Sequence, residues 1–452
     1  MKPLILPILF LTTLITFSAV AQGDQTLTYE EAVSIALREN IQIQQQQNIL
    51  KTTEVQRNQA HAQRWLPSVG ARVNPQRQIG RVPDPNTLVL VDANSTFMSA
   101  GIGADITIFN GFANINQVKQ AQALVENQYY MINSTKQQVV FDMSQSYLQV
   151  LLNQELLRIA EANLSQQQEQ LESVRNFVES GAQFNIADLY NQEAEVQRIG
   201  LTVVEAENQL AVSRASLVRI LQIDPFKEWE FEEPSVEQIE LLADQINLEN
   251  AYNEAIQQRP DLKQQQRLID ANRYGVRIAR SNLFPRLTAG YNYGSRYSSN
   301  DPDFDFQEQL TRANVTHSFN ATLFIPIFQN FQNRALIQQQ KQILSNSELT
   351  LEDLERSVFE QLQTAVADYR AAQQRLVAAE SQVKAAEKAR EAEQERFRLG
   401  VSNVIDVNLV NATYVQALAN QAQANYQLIF QKTALDYFTG KLQPESIVVS
   451  SN

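Results

Sequence analysis

The chain has 452 residues, no cysteine, and 37 basic against 50 acidic side chains, a formal charge of −13. Disulfides, thiol chemistry and lipid-modified cysteines are excluded, and so acidic a balance argues against nucleic acid and anionic membrane surfaces as partners. Gly and Pro number only 13 each while Gln and Ala abound, a mixture suited to long solvated helices rather than one large globular core.

Met1 to Ala21 joins Lys2 to an apolar run from Leu4 to Phe17 and a small-x-small end, Ala19-Val20-Ala21. This is the pattern of a cleavable secretory signal, too short to span a membrane. No later window holds 18 uncharged apolar residues. The mature chain is therefore expected to enter a membrane as strands.

Residues 22–222 are read as a first repeat. Thr28 to Trp65 lacks Gly and Pro and opens with Tyr29-Glu30-Glu31-Ala32, which predicts one helix of roughly 37 residues ending before Pro67. Val69, Ala71 and Val73 then alternate with Ser68, Gly70 and Arg72. After a Pro- and Asp-containing loop from Arg81 to Asn94, Met98, Ala100, Ile102, Ala104, Ile106 and Ile108 alternate with small or polar residues. Both stretches have the period of two of a strand with one apolar face. Past Phe109-Asn110-Gly111, no Gly or Pro occurs until Gly181. Leu157, Ala160, Leu164, Leu171, Val174 and Val178 set a heptad seam along this run. A helix of roughly 69 residues at ~1.5 Å each reaches about 100 Å. A returning helix is predicted from Ile186 to about Leu221, and residues 223–245 form an acidic linker expected to pack at mid-height.

Residues 246–440 repeat the scheme. A helical region from Asn247 to Leu283 is interrupted at Pro260, and a strand follows with Leu287, Ala289, Tyr291 and Tyr293 on one face. A return strand sets Val315, Phe319, Ala321, Leu323 and Ile325 against Thr316, Ser318, Asn320 and Thr322. A long helix runs from Phe331 to Phe397, breaks at Gly400, and is followed by a helix from Val404 to Phe438 and a tail over 441–452. Adding 219 carries Ala32 to Ala251, Ile108-Phe109 to Ile327-Phe328, Leu157 to Leu376 and Gly181 to Gly400. So constant a shift marks an internal duplication.

Four strands, apolar on one face and polar on the other, match the lipid-and-lumen alternation of outer-membrane strands. Four cannot close a barrel, and an open edge in lipid leaves backbone groups unpaired. Two copies give eight strands, whose interior fills with side chains, whereas three copies give 12 and an aqueous channel. Trp65 and Phe284, just before the strands, are placed as membrane-interface anchors. His61 and His317 are the only histidines and have no acidic neighbours at ligand spacing. With no phosphate loop and no Ser-His-Asp set, no metal, cofactor or enzymatic activity is expected.

A duplicated unit of helix, Leu/Phe-Pro (Leu66-Pro67, Phe284-Pro285), two strands, long helix, Gly turn (Gly181, Gly400) and returning helix resembles the TolC family of outer-membrane efflux channels. The resemblance implies a mainly α protein with membrane β, a homotrimer whose 12-stranded barrel in outer-membrane lipid continues as a helical tunnel through the periplasm. It also implies coupling through a periplasmic adaptor to an inner-membrane pump. By the same resemblance Gly181, Ala182, Leu399, Gly400 and Val401 are adaptor-docking turns, and Asp406 and Asp188 lie at the pore constriction. A local reading stands beside it: Asn185 with Asp188, and Asn403 with Asp406, have capping spacing. Leu409 stands where the family prototype has a second acid. Ser402 and Phe397 replace a basic residue and a tyrosine that help latch its tip. The alternative reading is a periplasmic coiled-coil structural or adaptor protein without a channel.

Overall fold

The computed structural model describes residues 25–83, 89–180, 186–232 and 247–442. The predicted signal, the Gly181-Ala182 turn, the later part of the acidic linker and nearly all of the tail lie outside them.

The first repeat begins with β1 (Gln25–Leu27), α1 (Tyr29–Glu39) and α2 (Ile41–Trp65). Thr28 starts α1 with a full capping box against Glu31. The single opening helix expected from Thr28 to Trp65 is broken at Asn40, whose extended backbone (φ −63°, ψ 126°) ends α1 while its side chain caps α2 at the Gln42 N–H. Strands β2 (Ser68–Pro83) and β3 (Leu90–Asn110) follow, then α3 (Ala113–Glu179) and α4 (Ile186–Leu221). The second repeat has α5 (Leu248–Gln258) and α6 (Pro260–Ser281), β5 (Arg286–Ser298), a short turn α7 (Phe306–Glu308) running into a π turn, β6 (Thr316–Phe324), α8 (Gln332–Arg398) and α9 (Val404–Phe438). Both long helices have 67 residues, about 100 Å at ~1.5 Å each. α9 and α4 pack back along them, while the shorter pairs α1/α2 and α5/α6 lie against their upper halves.

The four long strands form one antiparallel sheet in the order β2-β3-β5-β6. Its register sorts side chains by row. Val69, Ala104, Tyr291 and Phe319 form one apolar row, and Ala71, Ile102, Tyr293 and His317 the next. Between them lie Gly70, Gly103, Asn292 and Ser318, and below them Ser68, Asp105, Gly290 and Asn320. The alternation expected through Ile108 fails at its last residue. A bulge between Thr107 and Phe109 leaves Ile108 unpaired and puts Phe109 opposite Leu287 in the apolar row. Val315 and Ile325 fall just outside β6.

Each return strand enters its long helix through two residues with left-handed backbone, Gly111 and Phe112 (φ 62° and 68°) or Asn330 and Phe331 (φ 46° and 61°). At Gly111 a side chain has no room, since a Cβ would lie 2.5 Å from the Ser281 carbonyl oxygen. The main apolar core lies at mid-height, where β4 (Trp229–Phe231), at the start of the linker, pairs in parallel with β1. Tyr147 is fully buried there, its hydroxyl 2.9 Å from the Leu27 carbonyl and 2.7 Å from that of Glu232. Burial pushes its phenol well above the usual tyrosine range.

Candidate functional site

The ends of the helical hairpins hold most of the candidate residues. α8 stops in a Schellman turn: the Gly400 N–H donates to the Phe397 carbonyl at 2.9 Å and the Val401 N–H to the Arg396 carbonyl at 2.8 Å. Gly400 has φ 73°, the left-handed value this turn requires of its glycine. The turn projects Leu399 and Val401 into solvent, 68% and 67% exposed. Ser402 Oγ donates to Glu393 Oε1, and the other oxygen of Glu393 holds Arg396 at 2.9 Å, so the turn is tied back onto α8. Asn403 then caps α9. Its Oδ1 accepts from the Asp406 N–H and its Nδ2 donates to Asp406 Oδ2, each at 2.9 Å. The Asp406 carboxylate thus lies exposed in the first turn of α9, favourably placed against the helix dipole.

In the first repeat, α3 ends at Glu179 with the Ser180 N–H on the Asn176 carbonyl. Gly181 and Ala182 lie outside the described residues. Asp188 is in the first turn of α4, partly buried.

The two hairpins are joined by contacts of which periodicity singled out only Val174 and Val178. Val174 on α3, Phe397 on α8 and Val404 and Val407 on α9 form a buried apolar cluster, with Val178 and Leu189 packed against it. Phe397 therefore joins the two repeats by packing. Above it, fully buried Gln192 on α4 donates to Gln167 Oε1 on α3 at 2.6 Å and accepts from Asn408 Nδ2 on α9 at 2.9 Å. Asn411 Nδ2 donates to Asn163 Oδ1 at 2.8 Å, a second link between α9 and α3. The sequence did carry a signal: Gln192 lies in the heptad seam Val196, Ile199, Val203, Leu210, Leu217, all buried.

At the other end of the helices, Trp65 and Phe284 are 66% and 50% exposed beside the strand ends, and the Arg64 guanidinium stacks over the Trp65 ring at 4.5 Å. Phe109 meets Phe112 edge-on at 5.3 Å, and Phe328 meets Phe331 likewise at 5.7 Å. These aromatics, exposed except for the half-buried Phe109, lie at the level where strand becomes helix. His317 lies in an apolar row with its Nδ1 2.9 Å from the Tyr291 hydroxyl, remote in the fold from His61 on α2.

Comparison with known proteins agrees with this architecture. The outer membrane efflux protein family profile matches twice, over residues 32–221 and 251–441. The outer membrane efflux protein BepC of Brucella suis is 21% identical over 364 residues, 77% of this chain and 73% of the relative. The Campylobacter jejuni CmeC outer membrane channel superposes with a TM-score of 0.80 at 13% identity, covering 99% of this chain and 97% of that one. The open-state MtrE channel of Neisseria gonorrhoeae gives 0.72 at 16% identity over 91% and 88%. A periplasmic coiled-coil protein without a channel is not favoured. With both halves matched, the chain belongs to the outer membrane efflux protein family, and it is an efflux duct of the outer membrane whose helical part lies in the periplasm.

Proposed function

We propose that three copies of this chain close into one continuous duct, and that it works with a periplasmic adaptor and an inner-membrane pump that supplies the energy. One observation carries this reading. Among the described residues, a four-stranded sheet with apolar and polar rows has unpaired edges at β2 and β6, and it runs directly into helices about 100 Å long. Lipid does not tolerate open edges, so β6 of one copy pairs with β2 of the next. In the periplasm the flanks of the protomer supply apolar surface for the same contact: Leu201, Val204 and Val212 on α4, and Leu349, Phe359 and Val377 on α8, are all exposed in the single chain. Two such copies would give a barrel filled by its own side chains. Each repeat, 22–222 and 246–440, then contributes one hairpin to the wall, with residues 223–245 bridging them at mid-height.

Within this assembly, Leu399, Gly400 and Val401 offer the adaptor an exposed apolar turn, with Gly181 and Ala182 as the counterpart in the first repeat. Asp406 and Asp188 belong to the periplasmic mouth, where three copies of Asp406 form an anionic ring. Trp65 and Phe284 anchor the duct at the periplasmic boundary between outer-membrane lipid and water. The purified protein should migrate as a trimer on unheated gels and give single-channel conductance in planar bilayers. A monodisperse monomer without conductance would overturn the reading. A cysteine-substituted Val401 should crosslink to the adaptor in cells that carry the pump, and Gly400→Val should abolish that crosslink.

A further inference from the structure

The first hairpin outreaches the rest of the sheet. β2 and β3 stay paired from Ser68 opposite Asp105 to Pro83 opposite Leu90, whereas β5 leaves β3 at Ser298 opposite Phe97. The next loop extends that support slightly: the Ser299 N–H donates to the Thr96 carbonyl at 2.9 Å, and Asn300 Nδ2 to Ser95 Oγ at 2.6 Å. Above Ser95, among the described residues, the two-stranded ribbon has no third strand beside it.

Two aromatic levels fix its height relative to lipid. The lower is the strand-to-helix junction, in the row of Phe109 and Leu287. The upper is Tyr297, edge-on to Phe306 at 4.9 Å, in the row of Pro75 and Met98. Leu287 to Tyr297 along β5, at roughly 3.3 Å per residue and a tilt of about 40°, climbs about 25 Å, the height of the apolar band between aromatic girdles. The next residue up β2 on that outward face is Arg77, about 5 Å above the upper girdle, and then come Ile79 and Arg81.

We propose that this outward face, with Arg77 and Arg81, binds the phosphate groups of an anionic lipid in the outer leaflet of the outer membrane. Arg77 stands in the head-group layer, and Arg81 follows four residues higher on the same face, opposite Asp92. Arginine suits phosphate because its planar fork donates in pairs. The Arg77 Nε–H is fixed on Asn94 Oδ1 at 3.0 Å, which orients the guanidinium. Ile79, 76% exposed between the two cations, adds apolar contact. From Gln76 to Phe97 the two arginines are matched by Asp84 and Asp92, and Asp92 lies opposite Arg81, whereas Arg77 faces Thr96 with Asn94 and Met98 on the diagonals, so Arg77 is the leading phosphate contact. Arg72 and Arg296 fall in the polar rows of the other face and serve as controls.

Native mass spectrometry of the detergent-solubilised full chain, titrated with diphosphorylated lipid A, tests the proposal. Lipid A adducts are expected on the native protein, reduced at least tenfold in Arg77→Gln/Arg81→Gln and unchanged in Arg72→Gln. Arg77→Lys/Arg81→Lys, which keeps charge and fold but loses the fork, should fall between. Equal lipid A retention by the glutamine and native proteins would overturn the proposal. So would equal retention of dephosphorylated lipid A, or binding of inorganic pyrophosphate as tight as that of the lipid. The readout does not depend on conductance, so failure of the trimeric-duct reading would register separately.

Discussion

Asn40 and Arg259, 219 residues apart, hold equivalent positions at the same kink. Each interrupts the opening helix of its repeat with nearly the same backbone (ψ 126° in both), and each sends its side chain to a carbonyl in the last turn of the returning helix. Asn40 Nδ2 donates to the Ile220 oxygen at 3.4 Å and Arg259 Nη1 to that of Phe438 at 3.3 Å. The kink thus clamps the top of the returning helix in both halves. Arg259 does more, since it is 7% exposed, pairs with Asp261 at 2.7 Å and reaches Gln361 at 3.0 Å. Replacing Arg259 by Ala should cost about 2–4 kcal/mol, because Asp261 and two partly buried acceptors lose their partner. Asn40→Ala should cost about 1 kcal/mol, mainly the lost cap. Denaturant melts of helical signal would test this, and equal costs would show that the two kinks are not graded by their charge.

The kink also shows where sequence reading stops short. Pro260 announced the second break, but nothing in Glu39-Asn40-Ile41 is a helix breaker, and the first was missed. The duplication held the answer, because subtracting 219 from Arg259 lands on Asn40. The strand faces were legible because each depends only on alternation along one strand, and the long helices because Gly and Pro are absent. The bulge at Ile108 was hidden in an apolar run, Ile106-Thr107-Ile108-Phe109, that suits either register. The cluster around Phe397 joins residues more than 200 positions apart, and no local pattern specifies such a contact.

The register sets a depth scale for the lipid face. Ile102 lies four residues above Ile106, midway between the two aromatic levels, whereas Ile106 is one apolar row above the lower one. Ile102→Arg should cost about 2–4 kcal/mol and Ile106→Arg less, following the depth dependence of charges on barrel exteriors. Thr107→Arg, on the opposite face, should be tolerated. The folded fraction on unheated gels would test the order, and tolerance of Ile102→Arg would place that row away from lipid.

Asp436, near the end of α9, carries a pH signature. Burial raises its carboxyl above the ordinary value of 3.8, and Lys432 and Lys441 offset only part of the shift. A raised folded pKa means that the stability linked to this group is full below about pH 4 and is lost as pH rises through the folded value. Asp436→Asn should therefore melt higher than the native protein at pH 7, and the difference should vanish as the pH falls below 4. A gain independent of pH would assign the effect to packing.

Phe397 should act as the tie between the hairpins at the tip. Phe397→Ala opens a cavity among Val174, Val404 and Val407, with an expected cost of about 3–5 kcal/mol for a buried aromatic. The loss is local to the tip, so amide exchange should accelerate over residues 397–410 and single-channel conductance should rise. Protection left at native levels would show that the amide links through Gln192 and Asn411 hold the hairpins without it.

Asp406 allows the capping role to be separated from the electrostatic one. Its backbone N–H is capped by Asn403 Oδ1 and its Oδ2 accepts from Asn403 Nδ2. An Asn side chain at 406 keeps both contacts, since its Oδ1 still accepts, so helix stability should change little. What Asp406→Asn removes is one negative charge per protomer, three around the proposed mouth, in a narrow space where solvent screens weakly. Reversal potentials in a salt gradient should show reduced cation preference, and multivalent cations added on the periplasmic side should block less. Unchanged selectivity with an unchanged melt would confine Asp406 to the helix end. A lowered melt with unchanged selectivity would mean that the carboxylate matters to the cap through its charge on the helix dipole.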